Sequence, residues 1–213
     1  MNKLTKLFAI AIFSIWGSVA HAEIKYGLGL MAGQVSTDGS ETEGTAADTS
    51  TRSKSIEEIF VGADLYVESV SDNGFAIGLS YVPFEIELGS GQRTDTNSAA
   101  DIASEADTGT RKASADLTDF FTLYANVPMG EKLYALLGYH FATISTSETL
   151  NETSYPDADV EGYQVGFGSR SGNMKYELAY SDFDSIKLTG TGGGTNTVTA
   201  DADALTFRIA FGF

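Results

Sequence analysis

Three groups of side chains in this 213-residue sequence could do chemistry. The first has mixed charge: Asp64, Glu68, Arg170, Lys175, Glu177 and Arg208. Confined together, these acids and bases would pair, because an unpaired buried charge costs several kcal/mol. The second is His140 with two hydroxyls near it in sequence, Ser145 and Ser147. A histidine beside a serine is the minimum for acyl transfer. This spacing matches no nucleophile motif, so a hydrogen-bonded structural histidine is the favoured reading. The third group is acidic throughout: Glu57, Glu85, Glu87, Asp159, Glu161, Asp182, Asp184, Asp201 and Asp203. Clustered carboxylates are the ligands that Ca²⁺ and Mg²⁺ prefer. With no cysteine in the chain, thiolate metal sites and disulfides are excluded.

The elements that must position these groups are read from alternation, since successive side chains of a strand point to opposite faces. Eight segments alternate: about Ile24–Ser36, Ile56–Ser69, Phe75–Leu88, Ala115–Val127, Leu133–Ser145, Asp159–Arg170, a seventh beginning at Met174, and Leu205–Phe213. One face of each is apolar, for example Tyr26, Leu28 and Leu30, or Leu117, Phe121 and Leu123, or Leu205, Phe207 and Ile209. The other face carries all six mixed charges together with Tyr66, Tyr124, Asn126, Tyr134, His140 and Gln164, and Glu177 and Arg208, at comparable heights on the last two segments, are expected to pair. Following the apolar parity outward, strand after strand ends in the acids of the third group. They are expected to form a collar at the level of lipid headgroups, with Asp182, Asp184, Asp201 and Asp203 as its candidate divalent-cation ligands.

Short turns at Ser71–Gly74, Pro128–Glu131 and Ser171–Asn173 alternate with long connections near 37–54, 89–114, 146–158 and 189–200. The long ones are rich in Ser, Thr, Gly and Asp and are expected to be mobile loops. Pro83 removes a ladder donor within the third segment, which predicts a bulge or a change of register. No long apolar run follows residue 22, which excludes a helical membrane protein and fits strands that are apolar on one face only. The net charge of −16 argues against nucleic acid as a partner. At the start of the chain, Lys3 and Lys6 precede an apolar run, Leu7–Trp16, and the small-residue site Ala20-His21-Ala22. This predicts a signal peptide over 1–22, cleaved before Glu23.

The ending Leu205–Phe213, with Phe211 and the terminal Phe213, resembles the assembly signal of bacterial outer-membrane barrels. With its strand rhythm, the whole of 23–213 resembles the small eight-stranded barrels of the OmpA transmembrane-domain, OmpX and opacity-protein type. The resemblance implies an all-β, antiparallel, up-and-down transmembrane barrel in the bacterial outer membrane, with both termini in the periplasm. It implies lipid, lipopolysaccharide and the assembly machinery as partners, and an extracellular ligand met by the loops. No cofactor is expected beyond Ca²⁺ or Mg²⁺ at the rim. The implied role is non-enzymatic, in envelope integrity or adhesion-like surface interaction. The alternative is a narrow porin-like channel, or an OmpW-like barrel that passes hydrophobic molecules sideways through its wall. The latter calls for a more apolar lumen than the charged one read from parity. A lipid A-modifying barrel enzyme stands third.

Overall fold

A computed structural model describes residues 22–45, 48–95, 109–149, 153–192 and 196–213. The predicted signal peptide therefore lies almost wholly outside the described residues. Eight strands form the wall: β1 Ala22–Thr45, β2 Asp48–Ser71, β3 in two segments Ala76–Val82 and Ile86–Asp95, β4 Gly109–Pro128, β5 Leu133–Glu148, β6 Ala158–Ser171, β7 Met174–Thr189 and β8 Thr197–Gly212. Each pairs antiparallel with its sequence neighbour, and β8 pairs back onto β1, so the sheet closes on itself. Closure pairs the strands around the ring, as a strand protein in lipid requires, except where β2 and the upper segment of β3 are unladdered.

The three short turns form as the sequence predicts. In the first, Gly74 sits at φ 84° and the Phe75 N–H donates to Asn73 Oδ1 at 3.0 Å. The long connections differ from expectation. Of the stretch 37–54, read as a loop, residues 37–45 and 48–54 continue the β1–β2 ladder up to the pair Thr45↔Asp48. Threonine is a good strand former and alternation there is polar on both faces, so the signal for a strand is present without the apolar stripe that reveals one.

The outer wall carries the apolar belt that parity predicts. Ile59 is 84% exposed and Val61 80%, with Leu30, Leu65, Phe167 and Leu205 also exposed. A continuous belt of this kind is stable against lipid rather than water.

Two departures from ideal ladders decide what faces the lumen. At Asp119, φ is +48° and the β4–β5 register slips between Thr118 and Phe121. An aspartate tolerates this left-handed conformation better than its apolar neighbours would. The bulge reverses parity above it, so Leu117, expected on the outer face, is buried in the lumen at 5% exposure. At Pro83–Glu85 strand β3 breaks, as the proline predicts. Below the break β3 pairs with both neighbours; above it, residues 86–95 pair with β4, and no ladder joins them to β2 among the described residues.

Candidate functional site

The lumen is built in three layers, starting from the short-turn end. The floor is ionic, and it brings together all six residues of the mixed-charge group. Arg208 on β8 donates Nε to Asp64 Oδ1 (2.8 Å), Nη2 to Asp64 Oδ2 (2.7 Å) and Nη1 to Glu177 Oε2 (2.5 Å). Lys175 Nζ lies 2.9 Å from Glu68 Oε2, with Arg170 Nη2 at 3.7 Å from the same oxygen. Tyr134 donates to Glu177 (2.7 Å) and Tyr124 to Glu68 (3.1 Å). The ring of Tyr66 lies under the Lys175 ammonium, 4.0 Å from its centroid. Three acids thus meet three bases with tyrosines around them, and the floor is neutral and tightly filled.

Small residues opposite large ones make room for it. Gly29 is the register partner of Asp64, and a methyl group at Gly29 would overlap Asp64 Oδ1 and approach Arg208 Nε to 2.5 Å. Gly78 stands likewise beneath the Tyr124 ring. These are glycines of close approach, not of turn geometry.

The middle layer centres on His140, which is 2% exposed. Its Nδ1 is 2.8 Å from Thr122 Oγ1 and its Nε2 is 2.9 Å from Ser181 Oγ. The ring stacks on Phe183 at 5.3 Å between centroids, and Phe120 lies against it at 5.0 Å. The sequence pointed to Ser145 and Ser147, but Ser145 bonds to Asp157 instead. The hydroxyls that reach the imidazole come from neighbouring and distant strands, β4 and β7. Parity puts Thr122 and Ser181 inward, but nothing in the sequence gives their common height. No carboxylate bonds to the imidazole among the described residues.

The top layer is apolar, and it corrects the expectation of a charged lumen. Val35, Val82, Ile86, Leu88, Leu117, Ala142, Ile144, Val160 and Ala204 form one buried cluster, with Met31, Phe60 and Phe183 packed against it. Among the described residues, charged groups face inward near the short turns and again at the mouth, where Glu41, Lys54, Lys112, Asp184 and Asp201 line the upper cavity, with the apolar cluster between them. Two cavities lie above the floor. The lower one, about 80 Å³, runs past His140 and Gln164, and the upper one, about 460 Å³, opens toward the long loops. Leu88, Leu117 and Phe183 line both, so the two adjoin.

Beside this chamber the wall is unladdered, between the upper part of β2 and residues 86–95 of β3. The seam is covered by a side chain: Ile56 lies over Gly89, with its Cδ1 3.2 Å and its Cβ 4.0 Å from where a Gly89 methyl would stand.

The acidic rim is only partly gathered. Asp182 and Asp203 are register partners across β7 and β8. Asp201 pairs with Asp38 of β1, and it lines the upper chamber together with Asp184. A register shift between Ala200 and Ala202 separates these two pairs of acids. Among the described residues, no three acidic or histidine groups converge as a cation site would require. Several rim acids are instead held by hydroxyls and amides, as Glu161 is by Tyr139 (2.7 Å) and Glu57 by Gln34 (3.0 Å). Asp116, not singled out in the sequence, joins Glu85 and Glu87. Burial, then Glu85, then Glu87, push its carboxyl above the usual range. At the chain end, Phe213 is 72% exposed and its N–H donates to Tyr26 O at 2.8 Å, while Phe211 joins the outer belt.

No family model matches the chain, and no curated protein does. Among solved structures it is similar to the outer membrane protease OmpT from Escherichia coli, with a TM-score of 0.55 at 10% identity over 89% of this chain and 96% of that one. It is also similar to the outer membrane protein OprG from Pseudomonas aeruginosa (TM-score 0.49, 12% identity, 91% and 97% covered) and to Neisserial surface protein A (0.43, 8%, 90% and 99%). At such identities the likeness is one of fold. Together with the closed antiparallel sheet and its apolar belt, it makes this chain a small eight-stranded β-barrel of the outer-membrane type.

Proposed function

We propose that the barrel takes small apolar molecules from the long-loop end into its lumen and releases them sideways into the membrane through the seam between β2 and β3, whose lower end is flanked by Ile59 and Val61 of the apolar belt. The observation that carries this reading is the apolar cluster lying above an ion-paired floor. A solute entering from the long-loop end meets the paired charges of Asp64, Glu177 and Arg208 below it, and the adjoining wall lacks a ladder. Transfer of apolar surface from water into such a chamber is favourable by about 25 cal/mol per Å². Passage onward into lipid costs little, because both environments are apolar. Surface interaction through the loops, expected from their composition, gains no support from the geometry of the described residues. The reading places the barrel in the outer membrane, in keeping with its fold and belt.

The seam offers a direct test. The chain has no cysteine of its own, and the 4.0 Å Cβ separation at Ile56 and Gly89 suits a disulfide. The double variant Ile56→Cys/Gly89→Cys, reconstituted in lipid vesicles, should speed transfer of an apolar fluorescent dye into the bilayer when reduced. Oxidation should lower the rate to that of protein-free vesicles. Equal rates in the two states would overturn lateral release.

A further inference from the structure

We infer that the layer of Thr122, His140 and Ser181 is a recognition site for an uncharged hydrogen-bond-acceptor oxygen, so that the apolar molecule taken up is a ketone, aldehyde or ester rather than a plain hydrocarbon. This rests on the reading of the chamber just given and names its ligand class.

A count of protons carries the inference. A neutral imidazole has one N–H and one bare nitrogen. If Nδ1 carries the hydrogen, it donates to Thr122, Ser181 donates to Nε2, and the Thr122 hydroxyl hydrogen is left over. If Nε2 carries it, the roles exchange and the Ser181 hydrogen is left over. If both nitrogens are protonated, both hydroxyl hydrogens are left over. In every state at least one O–H has no acceptor, because neither hydroxyl has a further partner among the described residues. Both residues are more than nine-tenths buried, Thr122 at 7% exposure and Ser181 at 4%. Both line the lower cavity. A buried donor left without an acceptor is destabilising, so a bound acceptor oxygen is favoured there.

A second polar group faces the same space. Gln164 is the register partner of Ser181 and lines the cavity, and its amide has no partner among the described residues. The amide can add a second donor to the same oxygen. An oxygen on a carbon chain would then sit at the end of the cavity with its tail in the upper chamber, past Leu88, Leu117 and Phe183.

The same surroundings select against a carboxylate. The nearest cation, Arg208, already directs Nε, Nη1 and Nη2 at Asp64 and Glu177. A carboxylate brought to His140 would therefore be buried without a counter-ion, beside two acids of the floor.

The test compares an eight-carbon methyl ketone, the matching alkane and the matching carboxylate. Each competes against an apolar fluorescent dye for the barrel in lipid nanodiscs. The ketone should bind about tenfold more tightly than the alkane, the gain of one hydrogen bond to a buried donor, and the carboxylate more weakly than both. The variant Thr122→Val/Ser181→Ala should abolish the ketone's advantage over the alkane. Isotope-edited infrared spectra of the bound ketone should show a carbonyl shifted by hydrogen bonding in the parent and unshifted in the variant. Ketone and alkane binding alike in the parent would overturn the recognition site, meaning that water fills it, and would leave the apolar chamber standing. A carboxylate that binds as tightly as the ketone would overturn the site as well. Failure of all three to displace a bound dye would remove the chamber reading and this inference together.

Discussion

Arg208 and Glu177 are register partners across β8 and β7, and their side chains meet at 2.5 Å inside the barrel floor. The contact is part of a triad, because the same guanidinium grips Asp64 with two further bonds. Arg208→Ala therefore strands two buried acids and Glu177→Ala strands none fully, since Arg208 keeps Asp64. We expect Arg208→Ala to cost on the order of 3–5 kcal/mol, and Glu177→Ala distinctly less. Adding Asp64→Asn to Arg208→Ala should recover part of the loss. Urea unfolding in lipid vesicles measures all three, and equal costs for the two single changes would contradict the triad.

Gly29 gives a packing test of the same layer. The Cβ of Gly29→Ala would fall on Asp64 Oδ1 and beside Arg208 Nε, both held in place by their mutual bonds. The expected loss is about 1–3 kcal/mol. Gly39→Ala, whose added methyl meets only Lys54 O at 3.8 Å, serves as the control and should be near neutral in the same assay.

Asp116 lies above the apolar belt beside Glu85 and Glu87, and its carboxyl is raised by burial and then by those two neighbours. Because the folded state holds the proton more tightly than the unfolded chain, the barrel loses stability as pH rises through the Asp116 pKa and regains it on acidification. Asp116→Asn should then raise the unfolding midpoint at pH 7, and the gain should vanish below about pH 4, where both states are protonated. A gain that persists unchanged in acid would point to a cause other than charge.

Phe213 ends the chain exposed, anchored through its N–H to Tyr26. If its ring is the residue read by the assembly machinery, deleting Phe213 should leave unassembled protein in cells while the purified chain still refolds in detergent. Heat-modifiable gel mobility distinguishes the two states. Assembly in cells at the parent yield would refute the signal.

The sequence by itself determined the wall. Period-two alternation sets which side chains face lipid and which face inward, and glycine-containing turns set the hairpins, because both are local consequences of backbone geometry. That is why Asp64, Glu68, Arg170, Lys175, Glu177 and Arg208 could be listed together before any pairing was known. Apart from the Glu177–Arg208 pair, height and register were beyond it. They depend on which residue of one strand stands opposite which residue of the next, and that is decided by closure of the ring as a whole. Only the tertiary structure therefore placed Thr122 and Ser181 on either side of His140, where sequence proximity had suggested Ser145. The bulge at Asp119 defeated parity in the same way. One residue in a left-handed conformation turned Leu117 from lipid to lumen, where it joins Leu88, Ile144 and Val160 in lining the upper chamber. The break at Pro83 was legible because proline lacks a donor. That the upper part of β3 would then stay with β4 and leave the β3-facing edge of β2 unladdered was settled by the competition between two neighbouring ladders, which no single segment encodes.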